Sequence, residues 1–387
     1  MRRLTPVERG KRRLGMDGLG QVTADWGVLA AAAAGFGLCL AACVLLILTQ
    51  SWHGHLSHDS TEGVQKFHTA PTPRIGGVAI ALAYGLVWPL VPADLQGIWA
   101  AIGIAGVPAF AAGLGEDLTR KVGVRARLMA TMLAGLLFSA LTGYVMNDVD
   151  LPGVDWLLSF TLGGLLFTAF AMGGVANAIN IIDGFNGLAA GALLIMLGAF
   201  AWVAHQVGDG LVLGLALIFA GLVLGFFVLN FPFGRIFLGD GGAYFAGYLL
   251  ACLGVLLPAR NAEVSAWTAL LICGYPVIET LASMRRKSRR EGHSVGRPDK
   301  VHFHMLAHRH YGRRIVPDRE REHLRNPATA VVTWALPAIT AVLAAIAYDS
   351  ALLSAVFFFA TVAIYGQLYR VMSLNAPRLP AALARLL

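Results

Sequence analysis

Eleven long apolar runs constrain this chain more than any other feature: 26–49, 75–93, 97–115, 128–146, 156–176, 187–205, 211–229, 242–258, 264–284, 328–347 and 350–369. A helix rises 1.5 Å per residue, so about 20 apolar residues cross a bilayer's hydrocarbon core. Lipid offers no partner to backbone N–H and C=O groups, so runs of this kind cross as helices. The expected fold class is all-α, a polytopic membrane helix bundle of ten or eleven transmembrane helices. Composition agrees: only 13% of the 387 residues are charged, against about 25% in soluble domains. The 45 glycines let membrane helices approach closely. The first run is too long, and begins too late, to be a simple cleaved signal peptide.

The loops between the runs fall into two sets. One comprises 50–74, 116–127, 177–187, 230–241, 285–327 and the tail from 370; the other comprises 147–155, 206–210, 259–263 and 348–349. Of the 30 Lys and Arg residues, six precede the first run, 23 lie in the first set, and the second set holds Arg260 alone. Positive charge marks the cytoplasmic side, so the first set is expected there. The formal net charge of +8 therefore reflects loop orientation, and no nucleic-acid partner is implied. Residues 1–25 form a basic segment, 26–374 a single transmembrane domain, and 375–387 a cytoplasmic tail. The six early basic residues conflict with an odd number of spans; a start at Met16 would remove them. Cys39, Cys43, Cys252 and Cys273 sit in apolar runs without a CxxC pair, which indicates neither disulfide nor zinc.

Carboxylates in a membrane region are costly and usually functional. Glu116, Asp117, Asp183 and Asp240 come from distant parts of the sequence, and all fall at cytoplasmic ends of runs. That convergence predicts a catalytic cup facing the cytoplasm. Glu116 and Asp117 are followed by Arg120, Lys121, Arg125 and Arg127, a pattern suited to a metal and a phosphate. Asp117 is expected to lie nearer the chemistry, with Glu116 in support against Arg125 or Arg127. In Asn177–Gly187, the oxygens of Asn180 and Asp183 lie one helical turn apart, before a turn containing Gly184 and Asn186. In Phe233–Ala243, Asp240 lies among glycines that allow a diphosphate near the backbone, and Phe237 is either a base stack or an interfacial anchor. The long basic loop carries Arg297, His302 and His304; histidines two apart do not share a helix face and need a turn or extended segment. Thr72–Gly77 reads as a turn presenting Arg74 to a phosphate. Glu279 is the one clear carboxylate within a run, near the same end.

These five blocks, in this order and over about residues 70–310, resemble the polyprenyl-phosphate N-acetylhexosamine-1-phosphate transferase family. It includes undecaprenyl-phosphate GlcNAc-1-phosphate transferases and phospho-MurNAc-pentapeptide transferases. The resemblance implies a multi-pass enzyme of the bacterial inner membrane with a cytoplasmic active site. It would use Mg²⁺, with Mn²⁺ as a substitute, to move a sugar 1-phosphate from a UDP-sugar to a polyprenyl phosphate; a homodimer is allowed for. It further implies that Asn180 and Asp240 hold the metal. Phe237, the backbone near Gly184, and the Asn186 amide would take the uracil, and Arg127 would lie near the donor phosphates. Asp183 matches an aspartate common in bacterial members, His302 and His304 two positions of the family's histidine motif, and Arg297 the sugar-facing loop. Two departures weaken transfer of sugar specificity: Glu116-Asp117 stands where Asp-Asp is usual, and Met305 where a further histidine often lies. The shorter histidine block and Asn186 fit the GlcNAc-type branch better.

A lipid phosphate, second pKa about 6, is mostly dianionic at neutral pH and already nucleophilic. The difficulty is bringing it to an anionic diphosphate. The rival reading is a transporter or lipid flippase, which would place its ion and substrate groups near the bilayer midplane in broken or repeated helices. The carboxylates here sit at one end instead.

Overall fold

The computed structural model of the chain describes residues 26–59, 72–288, 301–318 and 320–373. Its helices are α1 (Trp26–Leu48), α2 (Gln50–Ser57), α3 (Gly76–Leu86), α4 (Ala93–Thr119), α5 (Val124–Thr142), α6 (Pro152–Leu158), α7 (Thr161–Ile182) and α8 (Leu188–Gln206). They continue with α9 (Gly210–Asn230), α10 (Gly239–Arg260), α11 (Ala266–Ile272), α12 (Gly274–Ser288), α13 (Phe303–Ile315), α14 (Arg325–Thr333), α15 (Ala335–Ala347) and α16 (Ala351–Ser373). Strands among the described residues are limited to β1 (His58–Asp59) and β2 (Thr72–Pro73), an antiparallel pair. The all-α expectation holds.

Nine helical segments among the described residues are long and apolar enough to cross a bilayer. Two of the eleven runs behave differently. The run at 264–284 is broken: α11 and α12 meet at an 80° bend around Cys273. The run at 75–93 yields only the 11-residue α3, about 16 Å of helix, followed by a 3₁₀ turn over Trp88–Leu90 with Pro89 inside it. Proline lacks the N–H that would continue the helix.

The bundle is arranged around α10, which packs on α3, α4, α7, α8 and α11. Of its most apolar 18 residues, 83% are buried within the protein. Its first nine residues include Gly239, Gly241, Gly242, Ala243, Ala246 and Gly247, so neighbouring backbones come close. A Cβ on Gly77 of α3 would lie 2.1 Å from the Gly242 nitrogen, and one on Gly113 of α4 would lie 2.6 Å from the Asp240 carbonyl oxygen. Farther along, Tyr84 stacks on Trp99 at 4.1 Å, with Phe219 and Phe245 around the pair. The four cysteines are buried free thiols.

The described parts of the two loop sets gather at opposite ends of this bundle. At one end, Asp209 caps α9 by accepting N–H groups from Leu211 and Val212. Arg260 donates to Asp209 at 2.7 and 3.1 Å and to the Tyr144 hydroxyl at 2.7 Å. The single Lys or Arg of this acidic loop set is therefore consumed in a structural latch. The opposite end holds the candidate site.

Candidate active site

The site begins with a backbone zipper. Phe237 N–H donates to Pro73 O at 2.8 Å, Gly76 N–H to Phe237 O at 2.9 Å, and Gly77 N–H to Leu238 O at 2.9 Å. This joins two blocks 160 residues apart and carries Arg74 to the start of α10. Gly239 makes the join possible. It adopts φ +73°, and a Cβ there would lie 2.2 Å from Arg74 O and 2.6 Å from Asp117 Oδ2. Both the left-handed conformation and the contact require glycine.

Asp117, in the last turn of α4, receives the first turn of α10. Its Oδ1 accepts Asp240 N–H at 2.9 Å and its Oδ2 accepts Gly241 N–H at 2.8 Å. A carboxylate at a helix N-terminus meets unpaired donors and the positive end of the helix dipole. Asp240 then takes cationic and amide partners. Arg74 Nη2 donates to Asp240 Oδ1 at 3.0 Å and lies 3.3 Å from Asp117 Oδ1, Asn180 Nδ2 donates to Asp240 Oδ1 at 3.1 Å, and Arg127 Nη1 pairs with Asp240 Oδ2. Arg127 Nε is buried without a hydrogen-bond partner among the described residues. Asp183, just past α7, interacts electrostatically with Arg74 and Asp117. Residues 74, 117, 127, 180, 183 and 240 thus meet in one network.

Glu116 does not do what was expected of it. Its Oε2 accepts Val122 N–H at 2.8 Å, bracing the turn between α4 and α5, while Arg127 turns to Asp240 instead. The chain reverses directly after α4, with Arg120 left-handed at φ 57°, and the longer glutamate reaches across that reversal.

A second cluster surrounds the turn after α7. Asn186 N–H donates to Asn326 Oδ1 at 2.8 Å, and its Nδ2 donates to Pro232 O at 3.1 Å. Gly187 N–H donates to Asn230 Oδ1 at 2.6 Å, and Asn230 Nδ2 to Ile236 O at 2.8 Å. Asn186 therefore braces the loop that presents Phe237, which is itself half-buried. Sequence reading missed Asn230 and Asn326. Asn230 carried a signal, as a lone amide at the end of the apolar α9, whereas Asn326 follows Arg325 at the start of α14; neither belonged to a motif.

The histidine pair closes the site. His302 precedes α13 and His304 lies in its first turn, with rings stacked at 5.5 Å. His304 packs on Gly184, where a Cβ would sit 2.6 Å from its Nε2, and it meets Phe185 edge-on. Both ring nitrogens of His304 are buried without a hydrogen-bond partner among the described residues. Burial, reinforced by the nearby His302, pushes its pKa down to about 3, so the ring is neutral at physiological pH. Arg297 lies outside the described residues.

The oxygen donors of this network are hard ligands. Among the described residues no group of three or more His, Cys, Asp or Glu is arranged to hold a metal. Mg²⁺ at nucleotide sites commonly takes one or two carboxylates and completes its shell with phosphates and water. Asp240 and the Asn180 side chain beside it offer one carboxylate and one amide, a pairing compatible with that ion.

The chain resembles known proteins across this region. The sequence profile of glycosyl transferase family 4 matches residues 99–257. The chain is 30% identical over 247 residues to a probable undecaprenyl-phosphate N-acetylglucosaminyl 1-phosphate transferase of Bacillus subtilis, covering 62% of this chain and 66% of that protein. It is 30% identical over 251 residues to a phospho-N-acetylmuramoyl-pentapeptide-transferase of Lactococcus lactis, covering 61% and 74%. It is 30% identical over 287 residues to a decaprenyl-phosphate N-acetylglucosaminephosphotransferase of Mycobacterium leprae, covering 64% and 70%.

Proposed function

Because this chain belongs to glycosyl transferase family 4, we propose that it transfers a sugar 1-phosphate, GlcNAc-1-phosphate by preference, from a UDP-sugar to undecaprenyl phosphate, releasing UMP. The observation that carries this reading is the meeting of Arg74, Asp117, Arg127, Asn180 and Asp240 at one end of the bundle. A transporter reading loses support for the same reason, since these groups cluster at a helix end. The site lies on the side of the basic loops, which supports a cytoplasmic active site and a cytosolic nucleotide donor.

The lipid phosphate oxygen attacks the sugar-bearing phosphorus of the donor. A new P–O bond forms there, the P–O bond to the UMP bridging oxygen breaks, and the electron pair leaves with UMP. Mg²⁺, held by Asp240 and Asn180, would supply charge neutralisation to the diphosphate. The chain's own residues do the positioning. Arg74 and Arg127 balance Asp117 and Asp240, so a bound cation leaves positive charge over for two anionic substrates. Asp117 fixes the α10 N-terminus and with it the position of Asp240. Phe237 and the bracing by Asn186 shape the base-binding side.

The test is UMP release in detergent from UDP-GlcNAc, polyprenyl phosphate and Mg²⁺, with loss on chelation. UMP formation that requires both substrates supports the reading. No UMP from any UDP-N-acetylhexosamine would overturn it. A screen across UDP-sugars then fixes the donor.

A further inference from the structure

The buried carboxylate of Glu279 in α12 takes no part in the network around Asp240. It is fully buried and contacts four groups from three elements. Oε1 meets His302 Nδ1 at 2.8 Å and accepts from Arg286 Nη2 at 3.0 Å, while Oε2 accepts Phe303 N–H at 3.1 Å and the Tyr365 hydroxyl. A buried carboxylate left without partners would be expensive. Here the guanidinium, the backbone N–H and the phenol all donate, so the carboxylate acts as the acceptor, and its bond to His302 requires a proton on Nδ1.

We propose that Glu279 is a positioning residue for the transfer reaction. By accepting the Nδ1–H of His302, it commits that ring nitrogen and fixes the ring plane. The fixed ring then carries His304, stacked at an interplanar angle of 7°, against Gly184 beside the donor site. A carboxylate that sets the tautomer and orientation of an imidazole is a recurrent device, because the two ring nitrogens are chemically distinct. The run 264–284 is broken ahead of Glu279. The 80° bend at Cys273 redirects α12, placing Glu279 beneath the histidine loop. Tyr365 and Tyr369 of α16 tie the C-terminal helix to the same point, Tyr369 by donating to Val301 O at 3.0 Å. This inference rests on reading His302 as part of the catalytic face.

The experiment is a double-mutant cycle on purified full-length protein, with UDP-GlcNAc and polyprenyl phosphate as substrates. kcat and donor KM are measured for Glu279→Gln, His302→Asn and the pair. Glu279→Gln is expected to cut kcat about a hundredfold with donor KM within about threefold, and to cost nothing further in the His302→Asn background. Losses that multiply in the double variant, or an unimpaired Glu279→Gln, would overturn the proposal. A fully active His302→Asn would instead sink the underlying assignment of His302. Should Glu279→Gln fail to fold, the cycle is run with Tyr365→Phe, which loosens the carboxylate while sparing its charge and its bond to His302. A several-fold kcat loss confined to the His302 background supports the proposal, and a loss that persists without His302 overturns it.

Discussion

Asp117 grips the helix that carries Asp240: the Asp240 amide donates to one oxygen of Asp117 at 2.9 Å, and the next amide, Gly241, donates to the other at 2.8 Å. The two aspartates are therefore not equivalent ligands of one ion. Asp117 acts by seating the α10 N-terminus, and Asp240 faces the arginines and Asn180.

This division predicts how the acidic pair at the end of α4 responds to substitution. An amide at 117 presents one acceptor oxygen to two waiting N–H groups, so Asp117→Asn is expected to lower both thermal stability and kcat. Losing such a cap typically costs about 0.5–2 kcal/mol. Glu116→Asp loosens only the turn at Val122, and kcat is expected to stay within about tenfold, or ~1.4 kcal/mol of barrier. Thermal melts and kcat for both variants decide the matter. A Glu116→Asp enzyme more damaged than Asp117→Asn would place Glu116 closest to the reaction.

Asp240→Asn keeps the size of the side chain but removes the charge facing Arg74 and Arg127. Transfer is expected to fall by at least a hundredfold, while the protein inserts and purifies normally. Added Mg²⁺ should not restore it. Turnover near wild type at low Mg²⁺ would show that the ion is held elsewhere.

That Asp117, Asp183 and Asp240 would meet at one end was legible in the sequence, because each sits in a polar block at a run end and alternation of runs gathers those ends on one side. The pairing of Arg127 with Asp240 was not, since that arginine was expected beside Glu116 or the donor phosphates. The eleven runs themselves mapped to helices, apart from the interruption after α3, where Pro89 signals a stop, and the bend at Cys273. What stayed hidden were contacts set by tertiary packing. Glu116 could be counted as acidic, but its reach back to Val122 depends on the left-handed turn at Arg120. Asn230 and Asn326 lie outside any motif, and their roles exist only because three loops meet at Asn186.

Phe237 offers a cleaner separation of substrates. Its place is held by backbone bonds, from its N–H to Pro73 O and from Gly76 N–H to its own carbonyl, so Phe237→Leu should leave the zipper intact. If the ring stacks on the nucleotide base, donor KM rises several-fold and lipid KM stays put, since stacking contributes about 1–3 kcal/mol. Equal effects on both constants would point to a general disturbance of the loop.

His304 links the site to acid sensitivity. Burial holds its pKa at about 3 in the folded protein, against the usual 6.5. Between those values the unfolded chain binds a proton that the folded chain refuses, so stability rises with pH across that window. The contribution is present in full above about 6.5 and is lost progressively as pH falls toward 3. His304→Phe keeps an aromatic ring against Phe185 and removes the titration. Melting temperatures at pH 7.5 and pH 5 are therefore expected to differ less in His304→Phe than in the wild type. His308, whose pKa burial also lowers, remains in both proteins, so the comparison isolates position 304. An unchanged difference between the two pH values would mean that the ring at 304 is open to protons in the folded state.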